Sequence, residues 1–211
     1  MVAGKRKGTD RLDAYLAKRD FTSTPEPAGS GAAPDDADPV FVIQEHGASS
    51  HHFDLRLQVG DTLRSWAVPK GPSTDPSERR LALPTEDHPL EYADFEGVIP
   101  ADEYGGGTVL VWDAGPYTNL KTDDDGDPVP LADQLDDGHA TVWLHGEKVR
   151  GGYALTRTDG GDEERWLLVK MDDGEADARR NPVSTEPRSV FSGRTLDQVD
   201  ADQRDGDEGD R

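Results

Sequence analysis

His52-Phe53-Asp54-Leu55-Arg56-Leu57 alternates polar and apolar residues with a period of two. Successive side chains of a strand point to opposite faces. Phe53, Leu55 and Leu57 therefore face a core, while His52, Asp54 and Arg56 share the other face. An imidazole, a carboxylate and a guanidinium in one row are costly to bury without partners. His46 stands upstream across Gly47-Ala-Ser-Ser50, a segment that fits a hairpin turn. Closing that hairpin brings a second imidazole beside the first.

The same period extends along the chain. Val40 to Gln44, Phe53 to Leu57, Leu63 to Val68, Thr108 to Trp112, Ala140 to Leu144, Gly152 to Thr156 and Trp166 to Lys170 read as strands. Clusters of Gly, Pro and Asp separate them. Val59-Gly60-Asp61 and His145-Gly146-Glu147-Lys148 read as hairpin turns. Many short strands with no convincing helix between them predict a mainly β domain, a small barrel or sandwich.

Three regions follow. Residues 1–39 form a basic arm and a linker: Lys5, Arg6, Lys7, Arg11, Lys18 and Arg19 precede a stretch rich in Pro, Ala, Gly, Ser and Asp. The spacing of Leu12, Tyr15 and Leu16 predicts a short helix in the arm. Residues 40–195 form the folded domain, with an acidic loop at 121–138. Residues 196–211 predict a disordered acidic tail.

Composition restricts the classes of function. The 211 residues suit one domain with tails, and cysteine is absent, which excludes disulfides and thiolate metal sites. No apolar run approaches the roughly 20 residues of a membrane span, so a cytoplasmic protein with no membrane partner is expected. The formal net charge is -21, from 44 acidic and 23 basic residues. Such acidity runs against the positive patches that phosphate binding favours. Either the partner is no polyanion, or the acid coats the outside and a local basic pocket does the binding. Aspartate dominates the excess, as in a high-salt cytoplasm or a GC-rich genome.

His46, His52 and Asp54 make a two-histidine, one-carboxylate set with open positions for water or substrate. Arg56 beside it is suited to clamp a phosphate through two parallel hydrogen bonds. Spacing alone leaves alternatives open. A His-x-Asp pair on a strand is commonly a surface hydrogen bond, and the same ligand set serves iron oxygenases.

A resemblance narrows the choice. Phe41-Val-Ile-Gln-Glu-His46 through Asp54-Leu-Arg56-Leu is similar to the 3′-phosphoesterase domain of bacterial DNA ligase D and its stand-alone bacterial and archaeal relatives. So are Ser65-Trp-Ala-Val-Pro-Lys-Gly-Pro-Ser73, Glu86-Asp-His88-Pro-Leu-Glu-Tyr92-Ala-Asp-Phe-Glu-Gly-Val-Ile-Pro100 and Tyr104-Gly-Gly-Gly-Thr108. Gly146-Glu-Lys, Trp166-Leu-Leu-Val-Lys170 and Ser189-Val-Phe-Ser-Gly-Arg-Thr195 continue the match, which spans residues 12–196.

The resemblance implies a compact single-domain β-barrel that binds manganese through His46, His52 and Asp54. It places Arg56 and His88 on the scissile phosphate, with Lys70, Arg80 and Tyr92 on the same active-site surface. Arg19, Asp20 and Glu26 help to place the strand end. The implied activity removes 3′-terminal ribonucleosides and 3′-phosphates from DNA primer ends, leaving a 3′-hydroxyl, in repair by non-homologous end joining. A ligase or polymerase in trans is the implied partner. The rival from another class is a non-catalytic end-binding module that recruits a ligase. His51 departs from the family's usual apolar residue, and alternation makes it an outward bystander. Lys170 reads as structural, His139 and His145 as hydrogen-bonded surface residues, and the four tryptophans as core or rim.

Overall fold

The computed structural model describes residues 9–29, 38–158 and 163–209. Ten strands follow one another: β1 (Val40–Gly47), β2 (His51–Val59), β3 (Thr62–Val68), β4 (Arg79–Pro84), β5 (His88–Pro89), β6 (Gly97–Ile99), β7 (Gly107–Asn119), β8 (His139–His145), β9 (Arg150–Thr158) and β10 (Arg165–Lys170). Eight of them pair antiparallel in the order β1-β2-β3-β4-β10-β9-β8-β7, and β7 pairs back onto β1. The sheet is thus a closed barrel without free edges. The long β7 serves both ends of the closure, meeting β1 along one stretch and β8 along the other.

The barrel expected from the sequence is the one observed, and all seven expected strands are present. The acidic loop at 121–138 holds a short helix, α2 (Leu131–Asp136), which buries Leu131 and Leu135. β4 escaped the period-two reading because its pattern is inverted. Ala82 alone faces the core, while Leu81 is 41% exposed on the outer face. The very short β5 and β6 carry too few residues for any period to register.

Two apolar clusters result. The larger draws on every strand of the ring and fills the barrel, with Phe41, Ile43, Phe53, Leu55, Leu57, Trp66, Trp112 and Trp166 among its members. Trp143 is half-buried on the outer side of β8. The smaller cluster, Tyr15, Leu63 and Tyr92 with Phe21 and Phe95 against it, lies on the outer face of the sheet. It seats the N-terminal arm. The helix expected there is α1 (Thr9–Ala17), and its Tyr15 is fully buried, donating its hydroxyl to Pro27 O at 2.6 Å. Residues 9–29 are therefore a docked part of the domain; the linker residues 30–37 lie outside the described residues.

The start of the expected disordered tail also differs from expectation. After α3 (Pro182–Thr185), residues Leu196–Gly209 form α4. Leu196 and Val199, one helical turn apart, pack against the barrel, and Val199 is 3% exposed. Those two apolar residues dock the first turn despite the acidity that follows. No helix among the described residues is long and apolar enough to cross a membrane.

The 146–149 hairpin is held from below by Asp113 of β7. Its buried carboxylate accepts the backbone N–H groups of Glu147, Lys148 and Val149 at 2.8–3.1 Å. Burial raises the pKa of this carboxyl even against those donors. Asp113→Ala leaves the buried N–H groups of Lys148 and Val149 and the half-buried one of Glu147 unpaired, so it is expected to cost about 3–5 kcal/mol. Urea unfolding of the variant measures this, and a loss under about 1 kcal/mol refutes the role.

Lys170 is fully buried at the end of β10, where Nζ donates to Met171 O at 3.0 Å and Asp173 Oδ1 at 2.6 Å. Its place is structural. His139 and His145 bond Thr156 and Thr118 on the exposed outer side.

Candidate active site

The β1–β2 hairpin pairs His46 with His52, Gln44 with Asp54 and Val42 with Arg56. Directly paired residues share a face, so the two imidazoles meet, 4.8 Å between ring centroids. That face points away from the barrel core, under the docked arm. Asp54 Oδ2 lies 3.8 Å from His46 Nδ1, and Asp54 Oδ1 lies 3.5 Å from His52 Nε2. One donor atom from each of the three residues falls within 4.8 Å of the others.

The surroundings fit a cation. His52 Nδ1 donates to Ser50 O at 2.7 Å, which leaves its Nε2 lone pair toward the cluster. His46 Nε2 is buried with no hydrogen-bond partner. Burial lowers the His46 pKa to about 4, against the opposing pull of Asp54, so the ring is neutral and ready to ligate at neutral pH. Two imidazole nitrogens and a carboxylate suit a first-row divalent ion.

The low His46 pKa also makes the metal-free fold sensitive to acid. The unfolded chain protonates this histidine near pH 6.5, whereas the folded chain does so only near 4. Stability is full above 6.5 and falls as the pH drops toward 4, by about 3 kcal/mol. Chemical denaturation of chelator-treated protein at pH 7 and pH 4.5 measures it. His46→Gln shows a shallower fall, and equal slopes refute the assignment.

Arg56, 3% exposed, is committed to its neighbours. Nε donates to Gln44 Oε1 at 2.7 Å, Nη1 to Ser65 Oγ at 2.9 Å and Nη2 to Asp54 Oδ2 at 2.9 Å, and Nη1 also lies 2.9 Å from His88 Nδ1. A guanidinium has five N–H groups; these bonds use three, so one on Nη1 and one on Nη2 are unspent. The guanidinium also rests 4.8 Å above the ring of Tyr92, whose hydroxyl donates to Glu26 Oε1 at 3.0 Å. Burial holds the Tyr92 hydroxyl well above its ordinary pKa.

His88, from β5, donates its Nδ1–H to Glu86 O at 2.8 Å and accepts at Nε2 from Arg19 Nη2 at 3.4 Å, with Arg56 Nη1 2.9 Å from Nδ1, so the ring stands between two guanidiniums. Burial, and then those two charges, push its pKa well below 6.5, so the ring is neutral. Arg19 reaches the cleft from the arm. It stacks 3.8 Å over the Tyr15 ring and pairs with Glu26 at 2.8 Å and with Glu86 at 3.1 Å. Burial raises the Glu86 pKa, but hydrogen bonds from its own backbone N–H, Lys18 and Arg19 outweigh it and hold the group below its ordinary value.

The structure brings His46, His52, Asp54, Arg56, His88, Tyr92 and Arg19 to one cleft of about 200 Å³, with Glu26 behind it. Asp20 is turned aside, accepting from Thr22 N and Oγ1 on the surface. Lys70 and Arg80 line a neighbouring concavity with Glu78, Arg79 and Leu81, and Arg80 pairs with Glu78. The single surface on which the resemblance joins Lys70 and Arg80 to Arg56 and His88 is therefore divided. The Lys70–Arg80 side carries excess positive charge. In the cleft, Lys18, Arg19 and Arg56 are balanced by Glu26, Asp54 and Glu86. Gln44, Ser65, Glu86 and Tyr104 complete the surroundings of the cleft without having been singled out from sequence. Gln44 shares the strand face of His46, which was the available signal.

A closed antiparallel barrel thus carries, on its outer face, a His-His-Asp set able to hold a cation beside a buried arginine and a neutral histidine. The chain belongs to the DNA ligase D 3′-phosphoesterase domain family, whose profile matches residues 44–157. It is 46% identical over 189 residues to the multifunctional non-homologous end joining protein LigD of Pseudomonas aeruginosa, covering 88% of this chain and 22% of that protein. It is 46% identical over 162 residues to the Mycobacterium tuberculosis multifunctional non-homologous end joining DNA repair protein LigD, covering 77% of this chain and 20% of that protein. The LigD protein of Mycolicibacterium smegmatis is 45% identical over 167 residues. The chain spans about a fifth of the length of these relatives.

Proposed function

We propose that the chain hydrolyses phosphoesters at the 3′ ends of DNA, with a divalent ion, manganese in our assignment, held by His46, His52 and Asp54. The substrates are 3′-terminal ribonucleosides and 3′-phosphates, and the product is a 3′-hydroxyl that a ligase or polymerase in trans can extend or seal. The relatives are named for non-homologous end joining, which supports a role for such an end in that repair. One observation carries the reading: the candidate ligands share a cleft with Arg56 and His88.

The net reaction adds water across a P–O bond: the new oxygen joins phosphorus, and the departing ester oxygen leaves with a proton. When bound, the ion supplies Lewis-acid polarisation of the phosphoryl group. Arg56 directs its remaining N–H groups toward the oxygens on which charge develops. Gln44, Ser65 and the Tyr92 ring hold that guanidinium still, so little ordering is left to the moment of reaction. To give a hydrogen bond to the departing oxygen, His88 must first take a proton on Nε2, because its Nδ1–H is spent on Glu86 O. Because the side-chain charges of the cleft cancel, binding of a phosphate depends on the added charge of the ion.

The test is phosphate release from a 3′-phosphate primer by the full chain, with manganese and with chelator. Metal-dependent release supports the reading. Tight end binding without release supports the recruiting module instead.

A further inference from the structure

The cleft has one apolar, exposed element. Among the described residues, six large apolar side chains are exposed: Leu16, Leu81, Tyr104, Leu120, Met171 and Phe191. Only Tyr104 lines the cleft, and it is 48% exposed there.

Its ring is held in place. Lys18 Nζ donates to the hydroxyl at 3.0 Å, and that hydroxyl lies 3.5 Å from Glu86 Oε2. The Lys18 ammonium sits 4.3 Å from the ring centroid. The backbone behind the ring is fixed as well. Gly107 has φ +144° and packs so closely that a Cβ there would stand 2.5 Å from Gly47 O. A Cβ on Gly106 would stand 2.6 Å from Pro100 O. The loop is thereby pressed onto the hairpin tip that joins His46 to His52.

A phosphate needs none of this, since its oxygens are met by guanidinium, imidazole and metal. An ordered aromatic ring beside a phosphate pocket fits the planar face of a nucleobase, where stacking is tolerant of base identity. We propose that Tyr104 is the platform for the terminal nucleoside, so that the cleft holds a 3′-ribonucleoside end by its base as well as by its phosphate. This rests on the 3′-end reading above. It separates the two substrates: a 3′-ribonucleoside primer gains from Tyr104, and a 3′-phosphate primer does not.

The experiment uses the full chain with manganese. Tyr104→Ala is expected to lower kcat/KM about tenfold for the ribonucleoside-ended primer and to leave phosphate release from the 3′-phosphate primer within about twofold of wild type. Tyr104→Phe keeps the ring and restores the first activity. An abasic terminal ribose brings the wild type down to the level of Tyr104→Ala. Independently of turnover, a fluorescent purine at the primer terminus is quenched on binding the wild type and Tyr104→Phe, and not Tyr104→Ala. Equal quenching by Tyr104→Ala, or equal losses on both primers, overturns the platform. Absence of phosphate release by the wild type, with the quench intact, overturns the 3′-end reading and leaves the platform standing.

Discussion

Asp54→Asn and His52→Ala each lower release of phosphate from a 3′-phosphate primer by about 10³-fold or more, while the protein stays folded. Asp54 bridges two tasks: it belongs to the cation set and accepts from Arg56 Nη2 at 2.9 Å. Asparagine preserves an oxygen for Arg56 but removes the charge that a divalent ion requires. Losing several kcal/mol of charge stabilisation corresponds to three powers of ten or more in rate. A second consequence follows from the neutral cleft. With three cations set against three carboxylates, affinity for the primer end falls along with the rate, because no side chain replaces the missing ion. Titration calorimetry with manganese separates the causes: both variants lose the tight site, and His139→Ala, far away on β8, keeps it. A tight manganese site in Asp54→Asn, or turnover within tenfold of wild type, would show that the ion sits elsewhere.

What the sequence could disclose depended on the range of each contact. Strand alternation fixes a face locally, so His52, Asp54 and Arg56 were legible as a row, and the short segment after His46 made a hairpin legible with them; the turn is residues 48–50, one shorter than Gly47–Ser50, and that length pairs His46 with His52. The barrel was legible from the repeated period, except at β4, where leucines face outward and a lone alanine faces in. The partners of Arg56 were less visible. Ser65 lies on another strand, and Gln44, though on the right face, carries no charge to draw attention. Arg19 meets Glu86 across 67 residues of sequence, a contact that no local pattern encodes. The resemblance supplied Arg19 and Glu26, but it joined Lys70 and Arg80 to the same surface without saying how far along the sheet they stand. Register supplies that. Val68 pairs with Phe53, so Lys70 lies beyond the end of that ladder, toward β4. That Arg56 keeps two of its five donors is likewise a property of the folded network, since an arginine in a sequence has all its donors free.

Deleting residues 1–26 is expected to abolish turnover rather than merely weaken binding. An exposed basic arm would contribute only screened attraction, which a few hundred millimolar salt removes. The docked arm contributes structure. Tyr15 closes the smaller cluster and lies 4.9 Å from the His88 ring, Arg19 flanks His88, and Glu26 accepts from both Arg19 and Tyr92. Removing the arm exposes Tyr92 and leaves Glu86 without Arg19, so the cleft loses a wall and its charge balance together. Point variants isolate the reason. Glu26→Gln frees Arg19 and Tyr92 from a buried carboxylate and is expected to cost about 10²-fold, with the loss unchanged between low and moderate salt, because buried pairs are poorly screened. The tail carries the opposite expectation with one restriction. Cutting after residue 203 keeps Leu196 and Val199 on the barrel and leaves turnover intact, and it improves primer binding at low salt by removing acidic charge. A cut at residue 197 removes Val199 and uncovers the larger core beside Gly47, whose strand carries His46. Turnover and thermal midpoint against salt for the three truncations read these outcomes. An arm deletion that retains activity at low salt and loses it at high salt would show that the arm acts by charge alone, and that the docked wall has no part in catalysis.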